Sequence, residues 1–140
     1  MKYTISKEFH FSAAHQLSLP YDSPCNRLHG HNYAVVLKLG ADKLDEHGMV
    51  VDYATTAVFE DYIKTHLDHR FLNEVLEVPS TAENIAEHLS KIAGTVYAYT
   101  GVTVLSVAVS ETPKTWATYH RDTAPKRPIM YSPSMGDDNP

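Results

Sequence analysis

The chain has 140 residues, 43% of them hydrophobic and 21% charged, enough for one compact domain with a real core and too few for two. The formal charge is −5, from 12 Lys and Arg against 17 Asp and Glu. No basic stripe runs along the chain, which argues against a nucleic-acid binder, and no apolar run is long enough to span a bilayer.

Residues 1–11 alternate polar and apolar side chains and lack the apolar core of a signal peptide, so the expected location is the cytoplasm. The single cysteine, Cys25, rules out an internal disulfide. Nine histidines are unusual for this length. Several lie close together in sequence, which points towards a metal site.

Residues 2–14 read as a first strand, with Tyr3, Ile5, Phe9 and Phe11 at even spacing. Pro20, Asp22, Ser23 and Pro24 mark a loop. A second strand runs from His29 to Leu39, with Tyr33, Val35, Leu37 and Leu39 on one face and Lys38 on the other. Residues 45–48 form a turn, followed by a short extension over 49–51. A helix is expected from Asp52, a good N-cap, to about Leu67, with Val58, Phe59, Tyr62 and Ile63 as its apolar face. Residues 68–79 link it to a second helix that starts at Ser80, where Ser80 and Glu83 have capping-box spacing. Ile85, Ala86, Leu89, Ile92, Ala93 and Val96 line that helix's buried side, and Gly101 suits its stop.

A valine-rich third strand over 102–111 and a fourth over 115–119 complete a ββααββ order. The fold class is α+β: an antiparallel four-stranded sheet with two helices on one face. Residues 1–122 form the domain. Residues 123–140 hold four of the eight prolines and no apolar periodicity, so they read as a flexible C-terminal tail.

The sharpest chemical signal is Cys25-Asn26-Arg27-Leu28-His29-Gly30-His31. His29 and His31 are two apart on a strand, so both imidazoles project from one face. Two neutral imidazoles on one face suit zinc, although a bare His-x-His pair has little specificity by itself. Gly30 leaves room for close backbone approach. A third ligand must come from elsewhere, and His10 and His15 both qualify; three histidines and an open position describe a catalytic zinc. The plain reading takes His10, His47, His66, His88 and His120 as ordinary surface or core histidines.

Cys25 reads as a zinc ligand, as a base with a lowered thiol pKa, or as an inert thiol; its polar loop disfavours the last. Asp68-His69 could hold and move a proton, or could be a solvated helix terminus. Glu111 closes a valine-rich strand. A partly desolvated carboxylate there would match a ligand that presents adjacent ring N–H and amino donors, and the plain alternative is a surface glutamate.

Taken together, these segments resemble the 6-pyruvoyl-tetrahydropterin synthase family over residues 2 to about 121. The carriers are 11–15 (FSAAH), 25–33 (CNRLHGHNY), 51–53 (VDY), 67–73 (LDHRFLN), 79–84 (PSTAEN) and 109–112 (VSET), in that order. The resemblance implies the tunnelling fold, in which short sheets from several subunits join into a barrel. It also implies a homo-oligomer, a hexamer by analogy, with active sites between subunits.

It implies further that His15, His29 and His31 hold zinc, that Cys25 is the catalytic thiol with Asp68 and His69 as its proton relay, and that Glu111 anchors a pterin ring beside Ser80 and Thr81. The implied substrate is 7,8-dihydroneopterin triphosphate. Three residues separate Cys25 from His29, the short spacing of the branch that makes 6-carboxytetrahydropterin for queuosine biosynthesis. The rival readings are the pyruvoyl branch and a non-catalytic pterin- or zinc-binding homologue. A polyanionic substrate sits uneasily with the acidic net charge, and Arg27, Lys38 and Lys114 are candidate local cations.

Overall fold

A computed structural model describes residues 1–121. The tail expected over 123–140 lies outside the described residues. Four strands, β1 (Tyr3–His15), β2 (His29–Ala41), β3 (Thr103–Thr112) and β4 (Thr115–His120), form one antiparallel sheet in the order β1-β2-β3-β4. Three helices connect β2 to β3: α1 (Ala57–His66), the four-residue α2 (Leu72–Val75) and α3 (Ala82–Val96).

Strand parity decides where the core sits. On β1, Phe9, Phe11, Ala13 and His15 are buried; on β2, Tyr33, Val35, Leu37 and Leu39 are. These odd positions form the face that carries the helices. On β3, a bulge resets the alternation, because Lys38 pairs with Ser106 while Leu39 pairs with Val104. Leu105 is the extra residue, so Val104, Val107 and Val109 all reach the core despite mixed parity.

α3 lies over β3 and β4 through Ile85, Ala86, Leu89 and Ala93. α1 buries Phe59 and Ile63, four apart on one helical stripe. The Phe59 ring meets Phe9 edge-on at 5.1 Å. Truncating Phe59 to alanine would cost about 3–5 kcal/mol.

Several expected boundaries shift. Asp52 is indeed an N-cap, its carboxylate accepting from the Ala54 N–H at 2.8 Å, but it caps a 3-10 turn over Tyr53–Thr56 that precedes α1. Val58, expected on the apolar face, is 63% exposed because that face is centred on Phe59 and Ile63. Thr81, not Ser80, caps α3; its hydroxyl accepts from the Asn84 N–H at 3.2 Å. Ser80 is wholly buried instead. The linker over 68–79 contains α2, and residues 49–51 form no strand. Among the described residues, no helix is long and apolar enough to cross a membrane.

Candidate metal centre and adjoining clefts

The β1–β2 register sets His15 opposite His29 and Ala13 opposite His31. All three histidines occupy odd positions on the helix-side face. Ring centroids lie 4.5 Å apart for His15 and His29, 5.0 Å for His15 and His31, and 4.9 Å for His29 and His31. One nitrogen from each lies within 4.8 Å of the others. Gly30 permits this closeness: a Cβ there would stand 3.2 Å from the Ala13 carbonyl oxygen, tighter than ordinary contact.

The donor chemistry suits a metal. His15 Nδ1 donates to the Ser80 carbonyl at 2.7 Å, and His29 Nδ1 donates to the Arg27 carbonyl at 2.6 Å. Each such bond fixes the tautomer and leaves Nε2 with a free lone pair. Among the described residues, His15 Nε2 and His31 Nε2 are buried without hydrogen-bond partners. Burial is the main cause that holds the His31 pKa below its ordinary value, with His15 and His29 adding to it and Glu111 opposing it. Neutral imidazoles with converging free nitrogens are what zinc requires. His10 is no part of this: it has even parity, is exposed, and pairs with Glu8 at 2.9 Å.

Glu111 Oε2 stands 3.6 Å from His31 Nε2. Glu111 also lines a cavity of about 350 Å³ with Ala82, Glu83, Val109 and Trp116. Beside His31, at 5.4 Å between ring centroids, lies a residue that sequence reasoning passed over as core. Tyr33 is fully buried and its hydroxyl has no partner; burial, and secondarily Glu111, push its pKa well up.

Asp68 and His69 sit against the outer edge of β1. Asp68 Oδ1 accepts the Ser12 N–H at 2.9 Å, the His69 N–H donates to the Ser12 carbonyl at 2.6 Å, and the Ala14 N–H donates to the Arg70 carbonyl at 3.0 Å. The Asp68 carboxylate also meets His69 Nδ1 at 2.9 Å. The Ser12 N–H, then His69, hold the Asp68 carboxyl below the usual range. His69 has φ +58°, a left-handed conformation that costs a non-glycine residue roughly 1 kcal/mol and is commonest at functional positions. Its ring is 82% exposed. His69 and His31 line one open cleft of about 510 Å³ with Ser12, Ala14, Asn32 and Phe71.

Cys25 lies in a 3-10 turn, Pro24–Asn26, capped by Ser23. Its carbonyl accepts from the Leu17 N–H at 2.9 Å. Asn26, which sequence reasoning left unassigned, fastens the loop: Oδ1 accepts from the Leu19 N–H, and Nδ2 donates to the carbonyls of Leu19 and Tyr21. Cys25 is half-buried, stands outside the histidine group, and lines neither cleft.

Of the residues expected near a ring ligand, Thr81 has its hydroxyl engaged in the α3 cap, and Ser80 turns its hydroxyl to Asn73. Arg27, Lys38 and Lys114 are exposed and form no ion pair among the described residues.

Known proteins share this arrangement of strands and helices. A 6-carboxy-5,6,7,8-tetrahydropterin synthase of Synechocystis is 42% identical over 88 residues, covering 59% of this chain and 67% of that one. A protein of the same name from Bacillus subtilis is 28% identical over 126 residues, covering 84% of each. The solved 6-pyruvoyl tetrahydropterin synthase of Caenorhabditis elegans superposes with a TM-score of 0.73 at 31% identity, over 85% of this chain and 95% of that one. The fold is therefore the tunnelling fold. The sequence profile of 6-pyruvoyl tetrahydropterin synthase matches residues 4–122, and the chain belongs to that family.

Proposed function

We propose that the protein is a zinc-dependent 6-carboxy-5,6,7,8-tetrahydropterin synthase of the cytoplasm. It would convert 7,8-dihydroneopterin triphosphate and one water to 6-carboxytetrahydropterin, acetaldehyde and triphosphate, supplying queuosine biosynthesis. The observation that carries the reading is the histidine trio, with one nitrogen of each ring within 4.8 Å of the others and His31 lining a cleft that His69 also lines. The names of the Synechocystis and Bacillus relatives support the carboxy branch.

His15, His29 and His31 hold the ion, which supplies Lewis acidity towards the substrate's side-chain hydroxyls. Cys25 removes a proton from the side chain. Asp68, fixed by the Ser12 N–H, orients His69 through Nδ1 and stabilises its protonated form, so the exposed ring can give or take a proton. Glu111 receives the pterin's ring N–H and amino group on its two oxygens, and the loop at Ser80 and Thr81, just before α3, lies by the ring as well. Completion of each site by a neighbouring subunit, in a homo-hexamer, accounts for the distance of Cys25 from both clefts.

The likeness to the Caenorhabditis enzyme favours a second reading, the pyruvoyl branch. Mass spectrometry of products from zinc-loaded protein and 7,8-dihydroneopterin triphosphate decides between them. Carboxytetrahydropterin with acetaldehyde supports the first reading, and a pyruvoyl product the second. No turnover, with zinc and pterin both retained, identifies a non-catalytic binder.

A further inference from the structure

His15 is aimed by a residue that touches no candidate ligand atom. Asn73 is exposed on α2, yet both ends of its carboxamide are engaged. The Gln16 N–H donates to Asn73 Oδ1 at 3.0 Å, and Asn73 Nδ2 donates back to the Gln16 carbonyl at 2.7 Å. The side chain thus pairs with the backbone just past the end of β1 as another strand would. Its orientation is unambiguous, because a backbone N–H can only donate and a carbonyl can only accept. Asn73 Oδ1 takes a further hydrogen bond from Ser80 Oγ at 3.1 Å. Ser80 in turn offers His15 Nδ1 its carbonyl at 2.7 Å and its hydroxyl oxygen at 3.4 Å.

One carboxamide therefore ties together the residue after His15 and the residue that fixes the His15 tautomer. Gln16 and Ser80 are 64 residues apart in sequence, and among the described residues no direct hydrogen bond joins them.

We propose that Asn73 is a positioning residue for the metal centre. It holds the end of β1 and the Ser80 carbonyl in register, so that His15 presents a free Nε2 before any ion arrives. The inference rests on the zinc reading above. Removal of a partner beyond the ligands themselves lowers metal affinity by about 10–100-fold. Because Asn73 is exposed and contributes nothing to the apolar core, its loss acts on the aim of His15 more than on the fold.

The test uses the full chain with Asn73→Leu and Ser80→Ala, each compared with the parent by circular dichroism. Zinc affinity is measured by competition with a chromophoric chelator, and the His15 tautomer by long-range proton–nitrogen spectra of the metal-free imidazoles. The expected result is zinc binding weakened about tenfold or more in Asn73→Leu and several-fold in Ser80→Ala, with the His15 Nδ1–H signal shifted or averaged in both. Ser80→Ala keeps the carbonyl and removes the link to Asn73 together with the 3.4 Å hydroxyl contact to His15 Nδ1, so parent-like affinity and tautomer in that variant overturn the proposal even if Asn73→Leu does not fold. Parent-like affinity and tautomer in the folded variants overturn the proposal. Failure of the parent to bind zinc overturns the zinc reading instead, and the tautomer comparison then judges Asn73 alone.

Discussion

The backbone of Ser12 is held on both its polar groups by the Asp68–His69 pair: its N–H by the Asp68 carboxylate at 2.9 Å, its carbonyl by the His69 N–H at 2.6 Å. Asp68→Ala leaves the Ser12 N–H without its partner and should cost about 1–2 kcal/mol, whereas Asp68→Asn keeps an acceptor in place and should cost less. Urea unfolding of the two variants measures the difference. Equal losses would show that the bond to Ser12 contributes nothing. Both variants should lose turnover, since neither stabilises a protonated His69.

Cys25→Ala should lower product formation by about a hundredfold or more while leaving zinc stoichiometry intact. Metal analysis beside a product assay checks both halves. Loss of zinc would make Cys25 a ligand and remove it from the proton chemistry.

Removing metal should leave the sheet and helices standing, because the core built on Phe9, Leu37, Phe59 and Ile85 does not include the histidine trio. Far-UV circular dichroism should be unchanged by chelator. Free zinc at about 100 times its dissociation constant should then stabilise the domain by about 2.7 kcal/mol. Collapse of the spectrum on chelation would mean that the ion is structural.

His88 gives a pH dependence away from the metal centre. Its Nε2 lies 2.6 Å from Tyr62 Oη, and Tyr62 stacks on His66 at 4.4 Å. Burial, then Lys91 and His66, hold its pKa below the ordinary 6.5. The unfolded chain therefore takes up this proton at a higher pH than the folded one. The favourable contribution is intact above about 6.5 and is lost as pH falls below that, until the folded pKa is passed. Melting temperatures measured downwards from neutral pH should fall less steeply for His88→Gln. An identical slope would assign the acid sensitivity elsewhere.

Tyr33→Phe deletes a buried hydroxyl with no partner. The metal-free variant should be as stable as the parent or more so, by about 1 kcal/mol. A clear loss in thermal unfolding would show that the hydroxyl has a partner in the assembled protein.

Much of this was legible in the sequence, and the exceptions have physical causes. Alternation gave β1 and β2, since a half-covered sheet must alternate, and valine content gave β3. Alternation also held a clue to the third histidine: the parity that buries Phe9 and Phe11 puts His15 on their side and His10 on the other. The Leu105 bulge was not legible, because a run of valines looks the same with or without an extra residue. Ser80 and Thr81 can each cap a helix, and only the burial of Ser80 against His15 chooses between them. Asn26 and Asn73 stand in segments that carry the family resemblance, but nothing in their local sequence assigned either of them a role. Asn73 joins segments far apart in the chain, a relationship that no local pattern encodes.

The pairing of His15 with His29 and of Ala13 with His31 has a consequence for how the molecule is made. A slip of one residue between β1 and β2 would turn either His15 or the His29–His31 pair to the opposite face. A slip of two that carries His15 past His29, away from His31, would keep the face and pull the rings apart by about 7 Å. A hairpin out of register by one residue cannot gather all three nitrogens. Acquisition of metal-binding competence during refolding is therefore a clock for strand alignment. It should appear as a single late step, after collapse and after most helical signal has returned.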